Sequence, residues 1–404
     1  MNKALSETEA EEIIFSTGFD REQVGRIGTE LEWIVLDPRD LHRRIAVKEL
    51  VSLLDTERAA LPGGSLISFQ PGGQLELSTR PFGNLADCIN AARTDTHAVE
   101  SRLASAGLIL YGTGLDPRKP QMMTEHPRHA ALESHYSHFG SMGRLMLANS
   151  ASIQINVDAG DATDGWRGRS RRWLLANCLG PLLTAIFANS AGPPSSPARS
   201  RRQVIRFQTD PTRTDPMALD IDPRRAWARY AMDALVVGIP EHPPRPWSPP
   251  PRGLTMRGWL RDADLRTATI HDLVRHVKTV IPPVRPCGYL EIRMVDSQPG
   301  QGWVVPLAVV AALLDDARAS DETFELVSRQ PIPDRRDIWV TAARRGLLNP
   351  RLATAARECL RIAIDALARL SAPPWVCEAV ERFAVTYTYR GRCPADDPQT
   401  LDWP

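Results

Sequence analysis

RIGTELEW (26–33) alternates polar and apolar residues with a period of two. Successive side chains on a β-strand point to opposite faces, so Glu30 and Glu32 share one face while Thr29, Leu31 and Trp33 share the other. The strand extends from Arg26 to Leu36 and stops at Asp37-Pro38. Three more segments repeat the pattern. In QPGGQLELS (70–78), Gln74, Glu76 and Ser78 oppose Leu75 and Leu77. In SIQINVD (152–158), Ser152, Gln154, Asn156 and Asp158 oppose Ile153, Ile155 and Val157. In YLEIRM (289–294), Glu291 and Arg293 oppose Leu290, Ile292 and Met294. A half-solvated sheet, apolar inside and polar outside, accounts for any one of them. Two features favour a ligand-facing surface. The polar residues are Glu, Gln and Asn rather than Thr and mixed charges, and two strands adjoin Gly-Gly or Pro-Gly, where backbone can approach a ligand closely.

If the four faces converge, their charges must be compensated. Two carboxylates ~4 Å apart repel by about 4 kcal/mol at an effective dielectric of ~20. A set of oxygen ligands selects magnesium, manganese or calcium over zinc. Magnesium ions holding the phosphates of a nucleotide fit such a face, with arginines clamping the remaining negative charge. Alternation alone does not establish convergence.

The surrounding elements are mixed in order. Ser6 to Phe15 reads as a short helix with capping-box spacing between Ser6 and Glu9 and a stop at Gly18. Asn84 to Ala106 is helical, and Arg169 to Asn189 is a largely apolar helix bent near Pro181. Gln203 to Thr209 is strand-like. Pro240 to Pro251 is the most proline-dense stretch and reads as a surface excursion. From Val304 helices dominate, the apolar run to Leu314 being core. Without regular strand–helix alternation, the order points to an α+β fold with a mostly antiparallel sheet and flanking helices, in one domain over residues 1–404.

Composition excludes several classes. The 49 basic and 48 acidic residues leave a net charge of +1, which gives no electrostatic reason for nucleic acid or an anionic membrane as partner. Lysine occurs only at Lys3, Lys48, Lys119 and Lys278, and no Gly-Lys-Ser/Thr phosphate loop is present. No run of residues is apolar enough to span a bilayer, and the polar, acidic start carries no signal peptide. The six scattered cysteines then read as free thiols in a reducing cytoplasm.

These residues resemble the glutamate–cysteine ligases of plant and bacterial type, most closely the branch that opens bacterial ergothioneine synthesis. The matching pieces are RIGTELEW, QPGGQLELS, ASIQINVD (151–158), IFANS (186–190), PTRTD (211–215), WARYAMD (227–233), PPVRPCGYLEIRMVDSQP (282–299) and GRCPADD (391–397), in family order along nearly the whole chain. The resemblance implies a glutamine synthetase-like sheet whose concave face holds ATP, metals and glutamate. It implies magnesium ligation by Glu30, Glu32, Glu76 and Glu291, with catalysis resting on Glu30, Glu76 and Arg202. Gln74, Ser78, Gln154, Asn156, Arg213 and Arg293 would contact substrate or ATP. It implies L-glutamate, L-cysteine and ATP as substrates, Mg2+ as cofactor, and no protein partner. Two departures stand out. Asn149 occupies a position where plant members carry arginine, and Arg206 stands where an aromatic residue is usual. Two other readings remain: a ligase for a different amine, and a regulatory member that binds nucleotide or amino acid.

Other motifs carry less. His126, His129, His135 and His138 lie in EHPRHAALESHYSHF (125–139), where Pro127 and the lack of cysteine favour an exposed, partly helical segment over zinc. His271 and His276 read as packing or capping residues. The cysteines read as buried small hydrophobes, with Cys393 in an exposed tail.

Overall fold

The computed structural model describes residues 5–19, 25–55, 60–219, 222–241, 247–328 and 336–398. Among these residues the strands are β1 Ile27–Leu36, β2 Leu66–Phe69, β3 Leu75–Ser78, β4 Ile109–Tyr111, β5 Ser152–Val157, β6 Val284–Pro286 and β7 Leu290–Asp296. They form a sheet in the order β2-β3-β1-β5-β7-β6, with β4 pairing with β1 alone. Every pairing is antiparallel. The α+β class expected from the sequence is the one observed.

Register explains why one face is polar. Glu32 lies directly opposite Glu76, Glu30 opposite both Ser78 and Gln154, and Asn156 opposite Glu291. Leu31, Leu75, Leu77, Ile153, Ile155, Val157, Leu290 and Ile292 are buried together on the other face. Helices Leu85–Ser105, Arg169–Ile186 and Val304–Asp315 pack against β1, β7 and β5 respectively. The polar face ends where Ile34 and Leu36, in the same alternation as Glu30 and Glu32, join Ala151 in a small separate apolar cluster.

Several local expectations are revised. Gln203–Thr209 is not a strand. Arg201–Arg206 is helical, with the Ser200 Oγ accepting from the Gln203 amide at 3.3 Å. Buried Val204 and Ile205 then sit on a helix rather than on a pleat. Gly18 lies inside helix Glu7–Phe19, not after it; a Cβ there would stand 2.6 Å from Trp227 Cδ1, so the glycine serves helix packing. The Gly72-Gly73 pair likewise answers to packing. A Cβ on Gly72 would fall 1.8 Å from the Ala148 carbonyl oxygen, and Gly73 has φ +84°. Cys393 is buried rather than exposed, and all six cysteines are free. The proline-dense stretch is described only outside 242–246, and Ile239 and Ser248 exchange backbone hydrogen bonds across it.

His276 couples this packing to pH. Its ring is buried in helix Ile270–Val277 and donates from Nε2 to the Ala231 carbonyl at 2.8 Å. Burial, and then Arg213, push its pKa from 6.5 down to about 4. Between those values the unfolded chain binds a proton that the folded chain refuses. The His276 contribution to stability is therefore complete above pH 6.5 and lost as pH falls towards 4, by about 3 kcal/mol in total. Denaturant titrations across that range should fall less steeply for His276→Gln than for wild type. Equal slopes would clear His276 as the source.

Candidate active site

A cleft of about 390 Å³ opens over the polar face of the sheet. Its lining carries both signs of charge. Glu30, Glu32 and Glu76 line it together with Arg128, Arg202, Arg206, Arg285, Arg293 and Lys278. Gln154 and Ser152, on β5, line it too.

The acidic part is held by its neighbours. Glu32 accepts from the Ser152 amide at 2.7 Å, the Ser152 Oγ at 3.0 Å and the Gln154 Nε2 at 3.0 Å. Glu76 accepts from the Ser68 Oγ at 2.6 Å and from the Gln70 Nε2. Glu30 accepts from the Asn156 Nδ2 at 3.3 Å. Burial raises the Glu30 pKa to about 8, helped by the negative charges of Glu291 and Glu76. Burial raises Glu32 to about 7, and Glu76 adds to it. A group placed there that carries positive charge would return both to full ionisation.

Glu291 has the opposite environment. Arg285, its direct partner across β6 and β7, donates from Nη2 at 2.8 Å, and Arg293 donates to its other oxygen. Burial would raise its pKa, but the two guanidiniums hold it down at about 2. Arg293 also donates to Gln154 Oε1.

The sequence-derived residues therefore divide. Glu30, Glu32, Glu76, Gln154, Arg202 and Arg293 meet in the cleft. Of the adjacent arginines 201 and 202, Arg202 is the one that lines it. Asn156 and Ser78 stand just behind the lining, each hydrogen-bonded to one of the cleft glutamates. Gln74 and Arg213 do not reach it. Gln74 donates to the Ser150 carbonyl at 2.9 Å. Arg213 is wholly buried, donating to Asp210 at 2.7 Å, to Thr279 and to the Leu235 carbonyl. It organises the fold behind the cleft, together with His135, whose Nε2 lies 2.7 Å from the same Asp210. Asn149 donates to the carbonyls of Asp116 and Arg118.

One buried residue was missed for a physical reason. β7 shifts register against β5 between Ile153, which faces Val295, and Ile155, which faces Ile292. Three residues of β7 thus span two of β5, a bulge that reverses the alternation beyond it. Simple alternation from Glu291 and Arg293 puts Val295 on the polar face and Asp296 in the core. The bulge instead brings Asp296 opposite Ser152. There Asp296 accepts from the Arg202 Nε at 2.7 Å, the Ser190 Oγ at 2.7 Å, the Ser200 Oγ at 2.9 Å and the Asn189 amide at 2.9 Å. It sets the direction of Arg202. The serines in IFANS and at the Ser200 cap were the sequence signal, but nothing in spacing linked them to Asp296.

The carboxylates suit a hard divalent cation, most clearly at Glu30, where one long contact from Asn156 and the charge of Arg293 leave the repulsion of Glu291 and Glu76 only partly offset. Glu32 is held by an amide N–H, a side-chain amide and a hydroxyl, Glu76 by two hydroxyls and a side-chain amide, and Glu291 by two arginines. Among the described residues no three His, Cys, Asp or Glu side chains stand close enough to enclose an ion. The same holds at the histidine segment, where His135 is buried on helix Pro127–Ser137.

Residues 26–398 match the sequence model of glutamate-cysteine ligase family 2 (GCS2). The chain belongs to that family. Among relatives, a glutamate–cysteine ligase EgtA of Mycobacterium tuberculosis is 38% identical over 388 residues, covering 93% of this chain and 85% of that protein. The EgtA of Mycolicibacterium smegmatis is 34% identical over 392 residues, covering 93% and 86%. A chloroplastic glutamate–cysteine ligase of Medicago truncatula is more distant, at 27% over 320 residues, covering 76% and 62%. A bifunctional glutathione synthetase from Pasteurella multocida superposes with a TM-score of 0.48 at 13% identity, covering 96% of this chain and 50% of that chain. Among the described residues no helix is long and apolar enough to cross a membrane.

Proposed function

We propose that this chain joins the γ-carboxylate of L-glutamate to the amine of L-cysteine, converting ATP to ADP and phosphate and giving γ-glutamylcysteine for ergothioneine synthesis. The observation that carries this reading is the meeting of Glu30 and Glu76 with Arg202 and Arg293 in one cleft, in a chain of the glutamate–cysteine ligase family.

The chemistry demands both kinds of charge. A carboxylate resists attack by an amine because oxide is a poor leaving group. The γ-carboxylate oxygen first attacks the γ-phosphorus of ATP; the P–O bond to ADP breaks, giving an acyl phosphate. The cysteine amine then attacks the acyl carbon, the C–O bond to phosphate breaks, and the amine gives up its proton. The first step brings two anions together, so positioning and charge neutralisation supply most of the acceleration. Glu30 and Glu76 would hold magnesium, which would draw off charge from the phosphates. Arg202, kept in place by Asp296, and Arg293, kept by Glu291 and Gln154, contact phosphate or carboxylate oxygens. Glu32 fixes the floor through Ser152 and Gln154. No nucleophilic side chain is required.

Purified protein with ATP, Mg2+ and L-glutamate should release ADP and phosphate on adding L-cysteine, and not with EDTA. Release indifferent to the identity of the amine would point to another acceptor. Nucleotide binding without turnover on any amine would point to a regulatory protein.

A further inference from the structure

The cationic wall of the cleft carries more donors than the acidic residues beneath it occupy. Arg285 and Arg293 are paired with Glu291, and Arg202 with Asp296. Arg206 is different. It is 5% exposed, and among the described residues its guanidinium has no carboxylate partner. It donates from Nη2 to the Ile281 carbonyl, while its Nε, also buried, has no partner. Arg128 shows the same pattern nearby, with Nη2 donating to the Lys278 carbonyl at 2.9 Å and a buried Nε left over.

The Tyr136 side chain completes the group. Its hydroxyl is buried and unpartnered, and it too lines the cleft. Arg206 and Arg128 both act electrostatically on that phenol, so the three side chains occupy one neighbourhood. A buried guanidinium without a counter-ion costs stability, as does each unmatched donor. Three such groups facing the same cleft describe a site whose ligand supplies the missing acceptors.

We propose that Arg128, Tyr136 and Arg206 form a subsite that binds the α-carboxylate of an amino-acid substrate. This rests on the ligase reading above. A carboxylate matches the donors, because one oxygen can take a guanidinium and the other the phenol. Leu132 and Met146 pack with Tyr136 in one apolar cluster that Ile281 adjoins, and all line the cleft, where they suit the aliphatic stem of an amino acid. Burial raises the Tyr136 pKa to about 12, so the phenol keeps its proton as a donor.

The test compares each substrate with its analogue lacking the α-carboxylate: L-glutamate with 4-aminobutyrate, and L-cysteine with cysteamine. In Arg206→Met, kcat/KM should fall about tenfold to a hundredfold for the carboxylate-bearing member of one pair and little for its analogue, the loss expected for a charged hydrogen bond. The pair affected identifies the substrate. Tyr136→Phe, which removes one hydroxyl, should move the same pair in the same direction and serves if Arg206→Met does not fold. Equal losses on both members of each pair, or a change confined to the KM for ATP, would overturn the subsite. Calorimetric binding of glutamate and cysteine to wild type separates the two claims. A wild-type protein that neither binds nor turns over these amino acids fails the ligase reading. One that does both, with variants that discriminate as it does, fails only the subsite.

Discussion

Glu76→Gln should lower kcat/KM for ligation by roughly a hundredfold or more, the scale of removing one group that holds transition-state charge. The substitution keeps volume and the β2–β3 pairing, and alters the oxygen pair presented to the cleft opposite Glu32. The Mg2+ concentration needed for half-maximal rate should rise, because one carboxylate facing the cation is then lost. Folding should not suffer. Glu76 raises both Glu30 and Glu32 electrostatically, so its neutralisation relieves repulsion rather than breaking an ion pair. Denaturant midpoints measured beside the kinetics separate the two effects. Near-normal kcat/KM with unchanged magnesium dependence would remove Glu76 from the metal site.

Asp296→Asn should be the most damaging single exchange on the polar face, acting on stability and activity together. The carboxylate is buried and takes four donors, among them the Arg202 guanidinium. Removing its charge leaves a buried arginine without a partner, at a cost of about 3–5 kcal/mol. Arg202, no longer aimed, should lose its contact with substrate, so kcat falls along with stability. A double-mutant cycle distinguishes positioning from simple unfolding. In an Arg202→Met background, Asp296→Asn should cost much less in both denaturation and kcat, a coupling of about 2–3 kcal/mol. Additive losses would show that Asp296 acts through its serine contacts and not through Arg202.

The polar face was legible because a pleated strand has a fixed period of two. Once Glu30 and Glu32 are placed on one side of β1, Leu31 and Trp33 must take the other, and the same holds for β3 and β5. Family motifs then implied convergence that spacing could not. The helical ends were legible where side chains act locally. Ser6 and Glu9 form the expected reciprocal cap, and the Asn84 side chain accepts from the Asp87 amide. Arg201–Arg206 misled because Val204 and Ile205 look strand-like in isolation, while the Ser200 cap and burial against neighbouring helices favour the tighter turn.

Sequence by itself thus determined which side chains share a face along β1, β3 and β5, since the pleat makes this a local property. Tertiary structure decided which of them meet. It set the strand register that puts Glu32 against Glu76, and the β7 bulge that turns Asp296 towards Arg202. It also placed the Asp210 carboxylate that draws Arg213 away from the cleft. Such choices depend on contacts between residues dozens to hundreds of positions apart, where one extra residue in a strand reverses every side chain beyond it.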